Sequence, residues 1–290
     1  MQQKRIASLT ALAMIAFAGN SLLCRVALVH TGIDAASFTS VRLGSGALVL
    51  WLIVNVFGSK RGQAGPAGSW TSAFALFAYA ACFSFAYISL SAATGALLLF
   101  GAVQTTMIGF GLWKGERLRG QQLAGLMLAV AGLLGLLLPG LSAPPPAAAA
   151  LMLAAGVAWG VYSLRAKGAA DPTRITAGNF VRAVPFTIAL SAVMFANHSG
   201  NAFDARGIGL AIASGALASG VGYAVWYTAL RGLNATTAAT VQLSVPVIAA
   251  FGGIAFLGEA ITLRLLLTSI AILGGIALIT LAPRRAQAQA

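Results

Sequence analysis

The chain has 290 residues, 18 of them basic and 5 acidic, a formal charge of +13, 59% hydrophobic residues and only 8% charged ones. A soluble domain carries about 25% charged residues, so an apolar core wrapped in a water-facing surface is excluded, whereas a bilayer removes the need for such a surface. Nucleic acid is not the partner the positive charge signals, because Lys and Arg stand in short groups between apolar runs, as in membrane loops.

A spanning helix needs roughly 20 mostly apolar residues. The first apolar run, Ile6 to Val29, follows Lys4 and Arg5. It is too long for a signal peptide, and no small-x-small site closes it. Leu23 precedes Cys24, where a lipoprotein signal needs a small residue, so a retained helix is expected over 7–29. Further spans are predicted over 36–57, 70–89, 94–113, 120–139, 147–164, 175–196, 206–230, 235–257 and 263–282. The breaks carry charge or turn residues: Lys60-Arg61-Gly62, Lys114-Gly115-Glu116-Arg117, Pro144-Pro145-Pro146, Ala170-Asp171-Pro172 and Asn197-His198-Ser199-Gly200. Cys24 and Cys82 both lie inside apolar runs and read as buried thiols, not as a disulfide or metal pair.

Basic residues set the orientation. With ten spans and a cytoplasmic N-terminus, one side holds Lys4, Arg5, Lys60, Arg61, Lys114, Arg117, Arg119, Arg165, Lys167, Arg174, Arg231, Arg284 and Arg285. The other side holds Arg25, Arg42, Arg206 and Arg264, and Arg182 falls inside the seventh span. Thirteen against four is a strong positive-inside bias. Both termini are expected in the cytoplasm of a cell with a bacterial-type inner membrane.

The halves echo one another. Arg25 and Arg165, Arg42 and Arg182, and Tyr87 and Tyr227 are each 140 residues apart, and Gly115-Glu116 answers Gly258-Glu259 with a three-residue slip. Residues 1–143 and 144–290 then form two repeats of five spans, joined at the three prolines. An odd number of spans per repeat reverses the second against the first, giving an all-α polytopic membrane protein with two inverted five-helix repeats. Secondary transporters are built this way, with the substrate site between the repeats near the midplane.

The two five-helix halves, the Arg near the start of the second helix of each half, the Gly-Glu after the fourth, and Trp159-Gly160 in the sixth span together resemble the drug/metabolite transporter superfamily, in its ten-helix EamA-type branch. The first span departs from that pattern, with Gly19-Asn20 in place of Trp-Gly. Within the branch the chain is most similar to the YddG-type amino-acid exporters. The resemblance implies that the first four helices of each half line a central cavity while the fifth and tenth pack at the periphery.

Candidate site residues follow from polarity and depth. Of the five carboxylates, Asp34, Asp171 and Asp204 read as solvated charges or caps. Glu116 and Glu259 read as structural or gating pins, with Arg117, Arg119 or Arg264 as partners. Arg42 and Arg182 lie inside spans, where a lipid-facing Arg is costly; each either anchors at an interface, caps a neighbouring helix end, or serves as a gate or a carboxylate contact at a cavity mouth. Tyr79, Phe83 and Tyr87 form a stripe at four-residue spacing, answered by Tyr223, Trp226 and Tyr227. Tyr79, Phe83, Trp159 and Tyr223, together with the in-span amides and hydroxyl Gln104, Asn179, Gln242 and Ser244, are the substrate-binding candidates, against a helix-packing reading of each. Asn20 and Thr105 are further polar in-span groups. Pro246 is expected to break the ninth helix and free carbonyls toward a substrate.

Enzyme motifs are missing: there is no H-E-x-x-H, G-x-S-x-G, C-x-x-C or P-loop. No catalytic residue, metal or cofactor is expected. His30 and His198 fall near one face, remote from acidic residues. The reading is therefore an alternating-access exporter of small neutral or zwitterionic metabolites, amino acids among them, working as a possible monomer without a buried carboxylate relay. Export of amphiphilic drugs or another metabolite, a channel, and a membrane enzyme are the alternatives.

Overall fold

The computed structural model describes residues 2–57, 67–115, 118, 120–140, 143–166, 171–197, 204–233, 238 and 241–281. Among the described residues the regular structure is entirely helical. In chain order the helices are α1 (Gln2–His30), α2 (Ala35–Phe57), α3 (Trp70–Tyr87), α4 (Ala92–Trp113), α5 (Gly120–Leu137), α6 (Pro146–Ala166), α7 (Pro172–Asn197), α8 (Ala205–Leu230), α9 (Ser244–Leu257) and α10 (Leu263–Leu281). Nine of these are long and apolar enough to cross a membrane. The exception, α9, spans 14 residues, because the stretch before it is interrupted. The protein is an all-α, multi-pass membrane protein.

Helix starts follow local chemistry. Ser69 begins α3, and its hydroxyl accepts from Ser72 N at 3.2 Å; Ser91 does the same for α4 from Thr94 N, also at 3.2 Å. Asp204 accepts from Arg206 N at 2.9 Å and Gly207 N at 3.0 Å at the start of α8, and reaches Gly32 N at 2.6 Å, tying the α1–α2 turn to the same point. Only 88–91 separates α3 from α4.

Two helices depart from the regular α pattern expected. The middle of α8, Ala213–Val221, is π-helical. This tract, ASGALASGV, contains only small residues besides Leu217 and Val221. The ninth span does break, but before Pro246 and not at it. Gln242 is helical, Leu243 turns, and Pro246 then sits in the first turn of α9, where a missing N–H costs nothing. Two carbonyls beside the break are taken. Ser244 Oγ donates to Val241 O at 2.6 Å and Gln242 Nε2 to Ala238 O at 3.1 Å. Side chains of the same segment thus cap two of its carbonyls, while Pro246 offers no N–H to Gln242 O, one turn before it.

Packing is organised between the two halves of the chain. α1 packs on α8 and α9, while α6 packs on α3 and α4. α2 lies against α7 and α8, and α7 lies against α2 and α3. α4 meets α9, and α5 pairs with α10. Exchanging each helix of the first half with its counterpart in the second leaves these principal contacts unchanged, as a twofold relation would. α5 and α10 take little part in the remaining contacts.

Close approach depends on small residues in the Gly156-x-x-x-Gly160 stretch of α6. A Cβ on Gly156 would stand 2.7 Å from Leu99 O and 2.5 Å from Ala102 Cβ, both on α4. Replacing Gly156 with Leu should therefore lower stability by about 1–3 kcal/mol, the usual cost of overpacking. Gly274, with nothing within 4 Å of its added Cβ, should accept Ala with little change. Thermal unfolding of purified protein in detergent reads the difference.

Candidate functional site

Polar side chains fasten both ends of the bundle. At one end Arg25 of α1 donates through Nη1 to Tyr87 O and Ile88 O, both at 2.9 Å, where α3 finishes. Its Nε lies 3.3 Å from Glu259 Oε1, the one ion pair among the described residues. Glu259 also accepts from Ala92 N at 2.8 and 3.1 Å and so caps α4. Gly258, in the left-handed region at φ 64°, ends α9 and turns the chain so that Glu259 reaches this position. Glu259 was expected to pair with a neighbouring arginine such as Arg264; it pairs with Arg25, 234 positions away in sequence. Arg264 instead donates to Leu138 O and Pro139 O. Glu116, Arg117, Arg119 and His198 lie outside the described residues.

The opposite end is closed in the same manner. Arg165 of α6 donates to Ser72 Oγ at 2.9 Å and Thr71 Oγ1 at 2.5 Å at the start of α3. Arg182 of α7 donates to Gly178 O at 3.2 Å and to Ala67 O. Asn179 accepts from Ser69 N at 2.9 Å, and its Nδ2 lies 3.4 Å from Tyr162 Oη. Arg182 and Asn179 thus hold the segment before α3.

Between these ends lies a small chamber of about 30 Å³. Phe17, Asn20 and Ser21 from α1, Tyr79 and Phe83 from α3, Leu99 and Phe100 from α4, and Trp159 from α6 line it. Ala218, Ser219 and Tyr223 from α8 and Gln242 complete the wall. Both halves contribute, and Ala218 and Ser219 come from the π-helical tract. Such a volume holds water but no metabolite, so in this conformation the chamber is too small for a solute. A larger hollow of about 520 Å³ lies between α4, α9 and α10. Its wall includes Phe251 and Ile270, 69% and 63% exposed; it opens on the bundle's outer, lipid-side surface and is not the central site.

Of the substrate-binding candidates, Tyr79, Phe83, Trp159, Tyr223 and Gln242 meet at the chamber. Gln104 and Asn179, both buried, and Ser244 are not among the lining residues. Trp159 is the centre of the aromatic cluster: its ring centroid is 4.8 Å from Tyr79 and 5.3 Å from both Tyr162 and Tyr223. Phe17 joins through Tyr223 at 5.7 Å. Phe17 and Ser219 were missed because nothing in a uniformly apolar or small-residue stretch marks them. Asn20 was noticed for its polarity; its Oδ1 accepts from Ser214 Oγ at 2.6 Å and its Nδ2 lies 3.5 Å from Tyr79 Oη.

Arg42 stands behind this wall. It is 1% exposed, so the interface-anchor reading does not hold for it. Its Nη2 donates to Tyr79 Oη at 3.1 Å, and its guanidinium carbon lies 5.3 Å from the Tyr79 ring centroid and 4.9 Å from that of Phe83. Cation–π attraction of this kind supplies about 2 kcal/mol when desolvated. Nε and Nη1 have no hydrogen-bond partner, and neither does the buried Ser219 Oγ. An unsatisfied buried donor costs about 1–3 kcal/mol. Arg42 is therefore a desolvated cation with aromatic faces and one phenol as its compensation.

Residues 146–281 match the EamA-like transporter family. The uncharacterized protein PA1977 of Pseudomonas aeruginosa is 56% identical over 289 residues, covering 99% of this chain and 98% of that protein. One protein of known crystal structure shares the fold with a TM-score of 0.66 at 21% identity, over 98% of this chain and 99% of that one.

Placement of the chamber residues makes an accessibility prediction. In a background lacking Cys24 and Cys82, single cysteines at Tyr79, Trp159 or Gln242 should react with small aqueous thiol reagents during transport, and substrate should protect them. A cysteine at Gln104 should react at least about tenfold more slowly, because a deep polar position outside the chamber gains no water. Rates of labelling in inside-out vesicles provide the check.

Proposed function

We propose that this chain, whose residues 146–281 match the EamA-like transporter family, exports small neutral or zwitterionic metabolites with an apolar or aromatic part, amino acids among them, as YddG-type exporters do. The observation that carries the reading is the chamber: six of its lining residues are aromatic, Phe17, Tyr79, Phe83, Phe100, Trp159 and Tyr223, while Asn20, Ser21, Ser219 and Gln242 supply neutral polar groups. No Asp or Glu is among the lining residues. A solute with a net positive charge would find no counter-charge there, whereas an apolar side chain finds rings to bury against.

Alternating access fits the same features. The chamber is too small for a solute, and Arg25–Glu259 fastens one end of the bundle and Arg165 and Arg182 the other, so a solute is admitted when one set of contacts parts. The helices that exchange under the twofold permutation are the ones that would rock. We take the two halves to be inverted repeats and the membrane to be a bacterial inner membrane with both termini in the cytoplasm, on the strength of the basic-residue bias and the relative in Pseudomonas aeruginosa. A solute moving down its own gradient needs no proton, and a titrating relay held away from bulk water has no candidate among the chamber residues.

Reconstituted protein should give counter-flow of labelled aromatic and branched amino acids without an imposed pH gradient. A pH gradient should drive no accumulation of a zwitterion above equilibrium. Trp159→Ala should reduce counter-flow by roughly 10-fold or more, since stacking on one aromatic ring contributes about 0.5–1.5 kcal/mol beyond its area burial. Uphill accumulation driven by protons, or transport confined to cationic drugs, would overturn the reading.

A further inference from the structure

We propose that Arg42 receives the carboxylate of the transported solute, so that a free carboxylate, and not an amino group, is what the site requires. The inference rests on the exporter reading above and narrows it. Three of the five N–H bonds of the Arg42 guanidinium, those on Nε and Nη1, are buried without an acceptor. No carboxylate among the described residues contacts it; the one ion pair there belongs to Arg25 and Glu259. A cation in this condition in a membrane protein's interior is retained for function or compensated by an anion that comes and goes.

The geometry connects Arg42 to the chamber through the wall itself. Tyr79 and Phe83, the two rings under its guanidinium, are both lining residues, and the Tyr79 hydroxyl it holds is also within 3.5 Å of Asn20 Nδ2. Turning the Tyr79 phenol aside therefore opens the guanidinium to the chamber. Ser219 Oγ, the other buried group without a partner, lies in the same lining. A carboxylate offers several acceptor sites to these orphaned donors, and an arginine–carboxylate contact is the strong, directional kind. A neutral amide would leave the charge uncompensated. An ammonium group, with no acid in the lining, gains no ion pair.

The counterpart Arg182 is unlike Arg42 in this respect. It donates to Ala67 O and Gly178 O and holds a chain segment. The two matching arginines of the halves thus carry different duties, and only Arg42 retains free donors beside the site.

Full-length protein in proteoliposomes loaded with L-phenylalanine tests this through counter-flow of labelled L-phenylalanine and through two competitors, 3-phenylpropionate, which lacks the amine, and L-phenylalaninamide, which lacks the carboxylate. The expected result is competition by 3-phenylpropionate comparable to that by phenylalanine and competition by the amide weaker by roughly 10–100-fold, the range of one charge-assisted hydrogen-bond set. Arg42→Gln should lose transport by a similar factor and lose the discrimination, while Arg42→Lys should keep part of both. Because Arg42 is undercompensated in the empty protein, Arg42→Gln should melt no lower than the parent in the absence of substrate. Equal competition by the amide and the acid, or near-parental counter-flow by Arg42→Gln, overturns the proposal while leaving the exporter reading in place. A clear drop in the substrate-free melting temperature of Arg42→Gln overturns it in favour of a structural role. Absence of counter-flow with every amino acid tried overturns the exporter reading, and this inference with it.

Discussion

Hydrocarbon offers no hydrogen bonds, so every polar group at a helix end or inside a span must find a partner within the protein. That constraint explains where most of the described charges have gone. Arg25 holds the carbonyls that finish α3, Glu259 holds the amide that begins α4, Arg182 holds Ala67 O before α3, and Arg264 holds the carbonyls after α5. Arg25 and Arg264 sit at the carbonyl ends of α3 and α5 and Glu259 at the amide end of α4, in the sense that helix dipoles favour. The contacts of Glu259, Arg182 and Arg264 join segments from opposite halves of the chain, so satisfying the backbone also fastens one half to the other.

Such fastening gives the molecule two closed ends and a nearly empty middle. The chamber of about 30 Å³ exists because α1, α3, α4, α6 and α8 bring large rings together without filling the last space. The π-helical stretch of α8 contributes there; wide turns of this type are rare and gather at functional sites. Trp159, stacked against Tyr162 and Tyr223 and tilted on Tyr79, makes the rings of both halves one surface. A solute would replace ring–ring contact with ring–solute contact, so the free-energy difference between empty and occupied states stays small, as a carrier requires of a site that must also release.

Arg42 is the charged exception to the rule of satisfied polar groups, beside the smaller one of Ser219 Oγ. Its neighbours are rings and one phenol, and two of its nitrogens lack acceptors. In a fold that otherwise assigns its charges to helix ends, a buried undercompensated cation beside the chamber is the feature that packing alone does not account for.

Hydropathy is a local quantity, and it located the ten apolar segments and most of the breaks from the sequence; many helix ends agree within a few residues, as at 36–57 against Ala35–Phe57, but the ninth, expected over 235–257, is regular only over Ser244–Leu257. The scarcity of charge likewise exposed the echo between Arg25 and Arg165 and between Arg42 and Arg182. Which faces meet was decided only by the tertiary structure. In a bilayer both the lipid side and the packed side of a helix are apolar, so sequence periodicity does not say which way Gln104 or Gln242 turns, and only Gln242 lines the chamber. The same ambiguity hid Phe17 and Ser219. Long-range partners were equally out of reach: Glu259 has Arg264 five residues on, yet pairs with Arg25, because once the helices are packed the spatial neighbour and not the sequence neighbour carries the charge.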